Sequence, residues 1–182
     1  MSESDARRHL ESGDPASPGA WTAVLAARTL ERACREHEPD PGDTRLRIYL
    51  GSAEELAWSL GLELTGLSER IEAEAQRAPS AEGSGDSGAV GAALVSAALR
   101  AADLATLAAC AVPELPLESA GHLQTVEAAR LAAAASRSAA LEHRALDRPG
   151  EPGDYETRDL KGAEWRADLA AKQVEDMLRE KS

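Results

Sequence analysis

Arg100 and Asp103 stand in the middle of the most apolar stretch of the chain, GAALVSAALRAADLATLAACAV, residues 91–112. At 100° per residue Ser96, Arg100 and Asp103 project onto one side of a helix, with Thr106 and Cys110 along the same edge. Two kinds of chemistry suit such a seam. A guanidinium desolvated among alanines and leucines would take an anionic ligand, with the carboxylate three residues on orienting it. Alternatively the seam reaches solvent or meets charges on another helix, and the Arg100 stem covers apolar surface. A membrane span is rejected, because each of the two charges would cost about 3 kcal/mol near the bilayer centre. Further along, Arg130, Arg137 and Arg144 recur every seven residues and form one slowly drifting column. It is either a solvated face or the partner of acidic residues elsewhere, for which Glu164, Asp168, Glu175 and Asp176 are available. The candidate ligand-binding residues are therefore Ser96, Arg100, Asp103, Arg130 and Arg137.

Other chemistries find less support. The residues three before His9, His37, His122 and His143 are Ala6, Cys34, Ser119 and Ala140, so the Glu-x-x-His pattern of di-iron bundles is missing. Cys34 with His37, and Glu118 with His122, each supply two potential metal ligands where structural zinc sites use four. Neither a metal nor another cofactor is expected. There is no phosphate-binding G-x-x-x-x-G-K-[ST] and no G-x-S-x-G elbow. The glycines of GSGDSGAVGAA precede a helix but follow no strand, which suits a flexible loop better than a phosphate cradle. Cys34 and His37 on one helix lie side by side, unlike the catalytic pairs that come from separate elements.

These residues need helices to position them. Ala and Leu dominate the 182 residues, Phe is absent and aromatics make up 3%, a composition that favours helix interiors over β cores. The expected fold is all-α: an Ala/Leu-rich bundle of about five helices behind a disordered N-terminal tail, residues 1–19, with 20–182 as one domain. Helices are expected at about 21–37, 52–78, 89–112, 117–147 and 154–180, the last three making the bundle core. Ser52 and Glu55 form a capping box for the second. Gly61 and Gly66 interrupt it, where a bend or a close helix contact is plausible. APSAEGSGDSG, residues 78–88, is a flexible linker by composition. RLRIYLG, residues 45–51, alternates apolar and polar and reads as an extended connector, or as a strand pairing with a partner's copy. In the last helix Leu160, Ala163, Ala167, Ala170, Val174 and Met177 form a heptad seam.

A stretch within 85–102, GDSGAVGAALVSAALRAA, is similar in composition to the Ala-rich helix that follows a polar turn in helical folate cyclodeaminases. The Asn-rich continuation of that family is replaced here by LATLAACAVPEL, so no membership follows.

The net charge of −12 argues against nucleic acid and anionic membrane surfaces as partners. The first twenty residues lack the apolar core of a secretory signal. Cys34 and Cys110 both sit at apolar helix positions and read as buried thiols, which fits a reducing cytoplasm. A core of small alanines gains little per residue, so burial through a homo-oligomer is expected. Two function classes follow. One is a non-enzymatic helical interaction or scaffold module that self-associates. The other is a small-molecule protein or enzyme binding an anionic ligand along the Ser96–Arg100–Asp103 seam.

Overall fold

A computed structural model describes residues 3–12, 15–77, 87–117, 119–146 and 154–180. Among them the chain is all helix and turn, with α1 (Glu3–Glu11), α2 (Pro18–Glu36), α3 (Thr44–Arg77), α4 (Ser87–Ala111), α5 (Ala120–Ala145) and α6 (Asp154–Glu180). A 3-10 turn, Val112–Glu114, follows α4. The expected all-α bundle is the observed fold. Of the linker expected at 78–88, residues 78–86 lie outside the described residues, while Ser87 and Gly88 begin α4; the break at 147–153 also lies outside them.

Part of the segment read as a tail is the sixth helix. Glu3 and Asp5 in the first turn of α1, with Arg8 and His9 in the last, complement the helix dipole. α1 buries Ala6 and packs on α2. Glu72 of α3 secures this corner. Its Oε1 accepts from the Trp21 indole at 3.1 Å and the Ala16 amide at 3.0 Å, and lies 3.4 Å from His9 Nε2.

The start of α2 is a cap that the sequence reading places three residues late. Ser17 accepts from the Ala20 amide, and Pro18 occupies the first turn, where its missing N–H costs nothing. The connector reading of residues 45–51 is corrected: they are the first turns of α3. The Asp43 carboxylate accepts from the Leu46 amide at 2.9 Å and starts the helix there. Ser52 and Glu55 thus lie inside α3 and cap nothing. Likewise the helix expected from about 117 starts at Ala120; Ser119 caps it, accepting from the His122 amide at 3.1 Å.

The helices α2, α3, α4 and α5 close a ring in which each packs on two neighbours, while α6 lies over α4 and α5. The centre therefore includes α2, which the sequence reading left at the periphery. Small residues set the spacing. α5 presents Ala128, Ala129, Ala132, Ala133 and Ala135 fully buried. At the α2–α5 crossing a Cβ on Gly19 would lie 2.5 Å from the Ala139 nitrogen, so only glycine fits. At the α2–α3 crossing a Cβ on Gly61 would lie 3.3 Å from the Ala27 Cβ, the close contact expected there. The α6 seam is buried within this chain from Leu160 to Val174. Its Ala-rich face is therefore not free for a second subunit.

Candidate functional site

The polar seam of α4 is the strip along which this helix reaches solvent. Ala92, Arg100, Thr106 and Cys110 are exposed there, and Ser96, Leu99, Asp103 and Leu107 are half-buried. The intervening Ala97, Ala98, Ala101, Ala102, Leu104 and Ala105 are buried against neighbouring helices. By length and composition α4 could also cross a membrane, but 61% of its most apolar window is buried inside the bundle. Cys110 is correspondingly exposed, which corrects the reading of both thiols as buried; Cys34 is in the core.

On this strip the two charges of α4 enter a chain of four. Arg100 Nε lies 2.7 Å from Glu63 of α3, and its Nη1 lies 3.4 Å from Asp103. Asp103 in turn lies 3.4 Å from Arg166 of α6. All four side chains are between a third and a half exposed, where such pairs contribute little energy. Their geometric effect is larger, since the alternating charges tie three helices edge to edge. Ser96 turns back to its own helix and donates to the Ala92 carbonyl at 2.9 Å.

The arginine column meets the acidic residues of α6. Arg130 binds Glu175 through Nε at 3.0 Å and Nη2 at 2.7 Å. Arg137 binds Asp168 at 2.6 Å, and Arg144 grips both oxygens of Glu164 at 2.9 and 2.5 Å. From Arg130 to Arg137 the numbering advances by seven while the partners retreat by seven, as antiparallel helices demand. Hydrogen bonding to Glu164 raises the Arg144 pKa further above its ordinary value. The structure thus places Arg130 and Arg137 in the α5–α6 seam. Ser96, Arg100 and Asp103 lie on the α3–α4–α6 edge, and no described contact joins the two sets.

The sequence reading missed the residues that dominate this edge. Leu99, Arg158, Asp159, Gly162, Trp165 and Arg166 line an open groove of about 340 Å3 between α4 and α6. Trp165 is 66% exposed, and Leu169 one turn on is 42% exposed. Away from this edge, Trp58 of α3 is 48% exposed beside a recess lined with Arg35 of α2, Gly51, Glu54 and Glu55, and Leu62, Ile48 and Leu56 of α3 are also exposed. The signal was present: Trp165 falls outside the α6 heptad seam, and Trp58 and Leu62 fall outside the stripe that helical spacing predicts on α3, Leu56, Leu60, Leu64, Leu67 and Ile71, although Leu56 is itself exposed in the structure. Arg158 holds no ion pair among the described residues, whereas Arg166 is paired.

Further recesses lie elsewhere among the described residues. Glu3, Arg28, Glu31, Arg32 and Arg35 line a crevice of about 360 Å3 between α1 and α2. Arg28 is only 8% exposed and bonds Glu31 at 2.7 Å, leaving its buried Nε without a hydrogen-bond partner. Arg32 pairs with Glu3 at 2.9 Å, and Arg35 with both Glu31 and Glu54. Hydrogen bonds from Glu54 first, then Glu31, push the Arg35 pKa up. A smaller recess of about 190 Å3 is lined by His143, Arg144, Thr157 and Leu160. His143 Nε2 lies 3.4 Å from Glu156 there.

Burial, and secondarily the Glu54 charge, raises the Cys34 pKa to about 11, so this thiol is a poor nucleophile beside His37. Among the described residues no group of three or more His, Cys, Asp or Glu is arranged to hold a metal ion. Glu118 lies outside the described residues.

No protein-family model, curated protein or solved structure matches this chain. The functional reading therefore rests on its own geometry.

Proposed function

We propose that this chain is a non-enzymatic helical interaction module that associates with itself through exposed apolar side chains. The observation that carries this reading is the placement of Trp58 and Trp165 on the surface of a protein with only three tryptophans. Large aromatic and arginine side chains dominate the energetics of protein interfaces, and contiguous exposed apolar patches mark them. The charged seam beside Trp165 supports the same reading, since its arginines are committed to carboxylates of neighbouring helices. Two unpaired thiols suit a reducing, cytoplasmic setting.

The test is quenching of tryptophan fluorescence by acrylamide across protein concentration. Trp21 is buried and gives a constant background, so the response reports Trp58 and Trp165. Association shields them, and quenching falls as concentration rises. Quenching independent of concentration up to about 100 µM would remove the support for self-association.

A second reading, an anionic-ligand protein, draws its support from the α1–α2 crevice rather than from the α4 seam. None of the recesses described above is lined by Ser96, Arg100 or Asp103. The partnerless Arg28 Nε favours the crevice. Its three arginines face Glu3, Glu31 and Glu36, so an entering anion would have to displace carboxylates already in place. Titration with inorganic phosphate, read by the chemical shifts of the arginine Nε–H groups, tests it.

A further inference from the structure

The outer strip of α3 carries features that the fold of one chain does not use. Gly51 and Gly66 face outward, and a Cβ built on either would meet nothing within 4 Å. Glycine weakens a helix interior, so two of them on an exposed face lower helix stability with no close contact inside the monomer to explain them. Around them stand exposed Ile48, Trp58 and Leu62. Charge marks the ends of the strip. Arg45 is 90% exposed and makes only a long ion pair, 4.0 Å, with Glu114, and Glu69 is exposed with no ion pair among the described residues.

We infer that two copies of this chain dock through α3, antiparallel, about a twofold axis level with Ala57. This rests on the self-association reading above and names its surface. An antiparallel pair with that axis places Arg45 of one copy opposite Glu69 of the other, twice over. It sets Ile48 against Gly66 and Leu62 against Ser52, a large side chain over a small one at each position. The Trp58 side chains of the two copies flank one side of the seam and their Leu56 side chains the other, and Glu55 meets the Ser59 hydroxyl, which can donate to it. The seam is self-complementary, as a closed twofold interface requires. From Arg45 to Glu69 it runs about 36 Å at 1.5 Å per residue, and packed helices stay in contact along such a length at small crossing angles. Glycine and serine opposite isoleucine and leucine let the backbones approach closely. Glu63, which would otherwise bring a second central carboxylate near the seam, is held by Arg100.

The experiment is sedimentation equilibrium on the full chain and four variants: Gly66→Leu, Arg45→Glu, Glu69→Arg and the last two combined. A Cβ at position 66 meets nothing within 4 Å and leucine is a better helix former than glycine, so the fold, checked by circular dichroism, is expected to be retained. Gly66→Leu fills the space that Ile48 of the second copy would occupy, and the dissociation constant rises at least tenfold. Each single charge reversal weakens association severalfold, and the combined reversal restores it. A wild-type dimer indifferent to Gly66→Leu would overturn α3 pairing while leaving self-association standing. A double reversal weaker than either single one would overturn the register. A wild type that stays monomeric at all concentrations would overturn both this interface and the self-association reading.

Discussion

Glu142 of α5 closes the N-terminus of α2 through Gly19, whose amide donates to Glu142 Oε1 at 2.8 Å. The Ser17 and Ser138 hydroxyls donate to the same carboxylate at 2.5 and 2.9 Å. The negative group thus sits where the helix dipole is positive and the first amides lack partners. Glu142→Ala removes the acceptor of all three hydrogen bonds and is expected to cost about 2–3 kcal/mol, read by urea unfolding. Gly19→Ala is expected to cost as much or more, because its Cβ would strike the Ala139 backbone. A loss under about 0.5 kcal/mol in both would mean that this junction does not hold α2 to α5.

Arg100→Leu tests the charged seam. The pairs of Arg100 with Glu63 and Asp103 are largely solvated, so stability is expected to change by less than about 1 kcal/mol. Asp103 keeps Arg166 at 3.4 Å, and Glu63, which loses its partner, is half exposed and returns to solvent. A loss above about 3 kcal/mol would show that the seam is a desolvated network rather than a solvent edge.

How much of this was legible follows from what each element depends on. The bounds of α6 were readable because Asp154, a seven-residue apolar repeat and its charged flanks all agree. The arginine column was readable for the same reason, and its acidic partners lie on the next helix in sequence. The partner of Arg100 was not, since Glu63 reaches it only because α3 lies beside α4. Residues 45–51 misled because a short alternation of Leu46, Ile48 and Leu50 also contains the helical pair Leu46 and Leu50. The cap that decides between them is Asp43, outside the run. α1 was missed because its nine residues bury a single alanine. The exposed Trp58 and Trp165 were legible as positions off the apolar stripes, but their meaning depends on a surface that periodicity does not describe.

Alkaline pH should destabilise the fold in a defined window. The Cys34 thiol rises from its ordinary 9.0 to about 11 in the folded protein, chiefly through burial. Burial first, with smaller charge effects, raises Tyr49 to about 12. Above pH 9 the unfolded chain loses these protons before the folded one does, so unfolding is favoured as pH rises. Full stability is expected below about pH 9. It should fall through pH 11 for Cys34, by up to about 2–3 kcal/mol, and continue to fall toward pH 12 for Tyr49. Cys34→Ala should flatten the part between pH 9 and 11. Unchanged alkaline unfolding in that variant would place the titrating group elsewhere.

The two thiols should separate by accessibility. With Cys110 on the exposed strip of α4 and Cys34 in the core, Ellman's reagent at pH 8 should label one thiol per chain promptly. The second should follow only on unfolding, and Cys110→Ser should abolish the fast phase. Two fast thiols would mean that α2 opens readily at Cys34.

The central claim is self-association, and native mass spectrometry of the freshly purified full chain tests it most directly. At about 10–50 µM the account predicts a species at twice the 19.1 kDa chain mass, with no additional mass retained. A single 19.1 kDa species throughout that range would contradict it, and a retained small molecule would move the function to the α1–α2 crevice and its arginines.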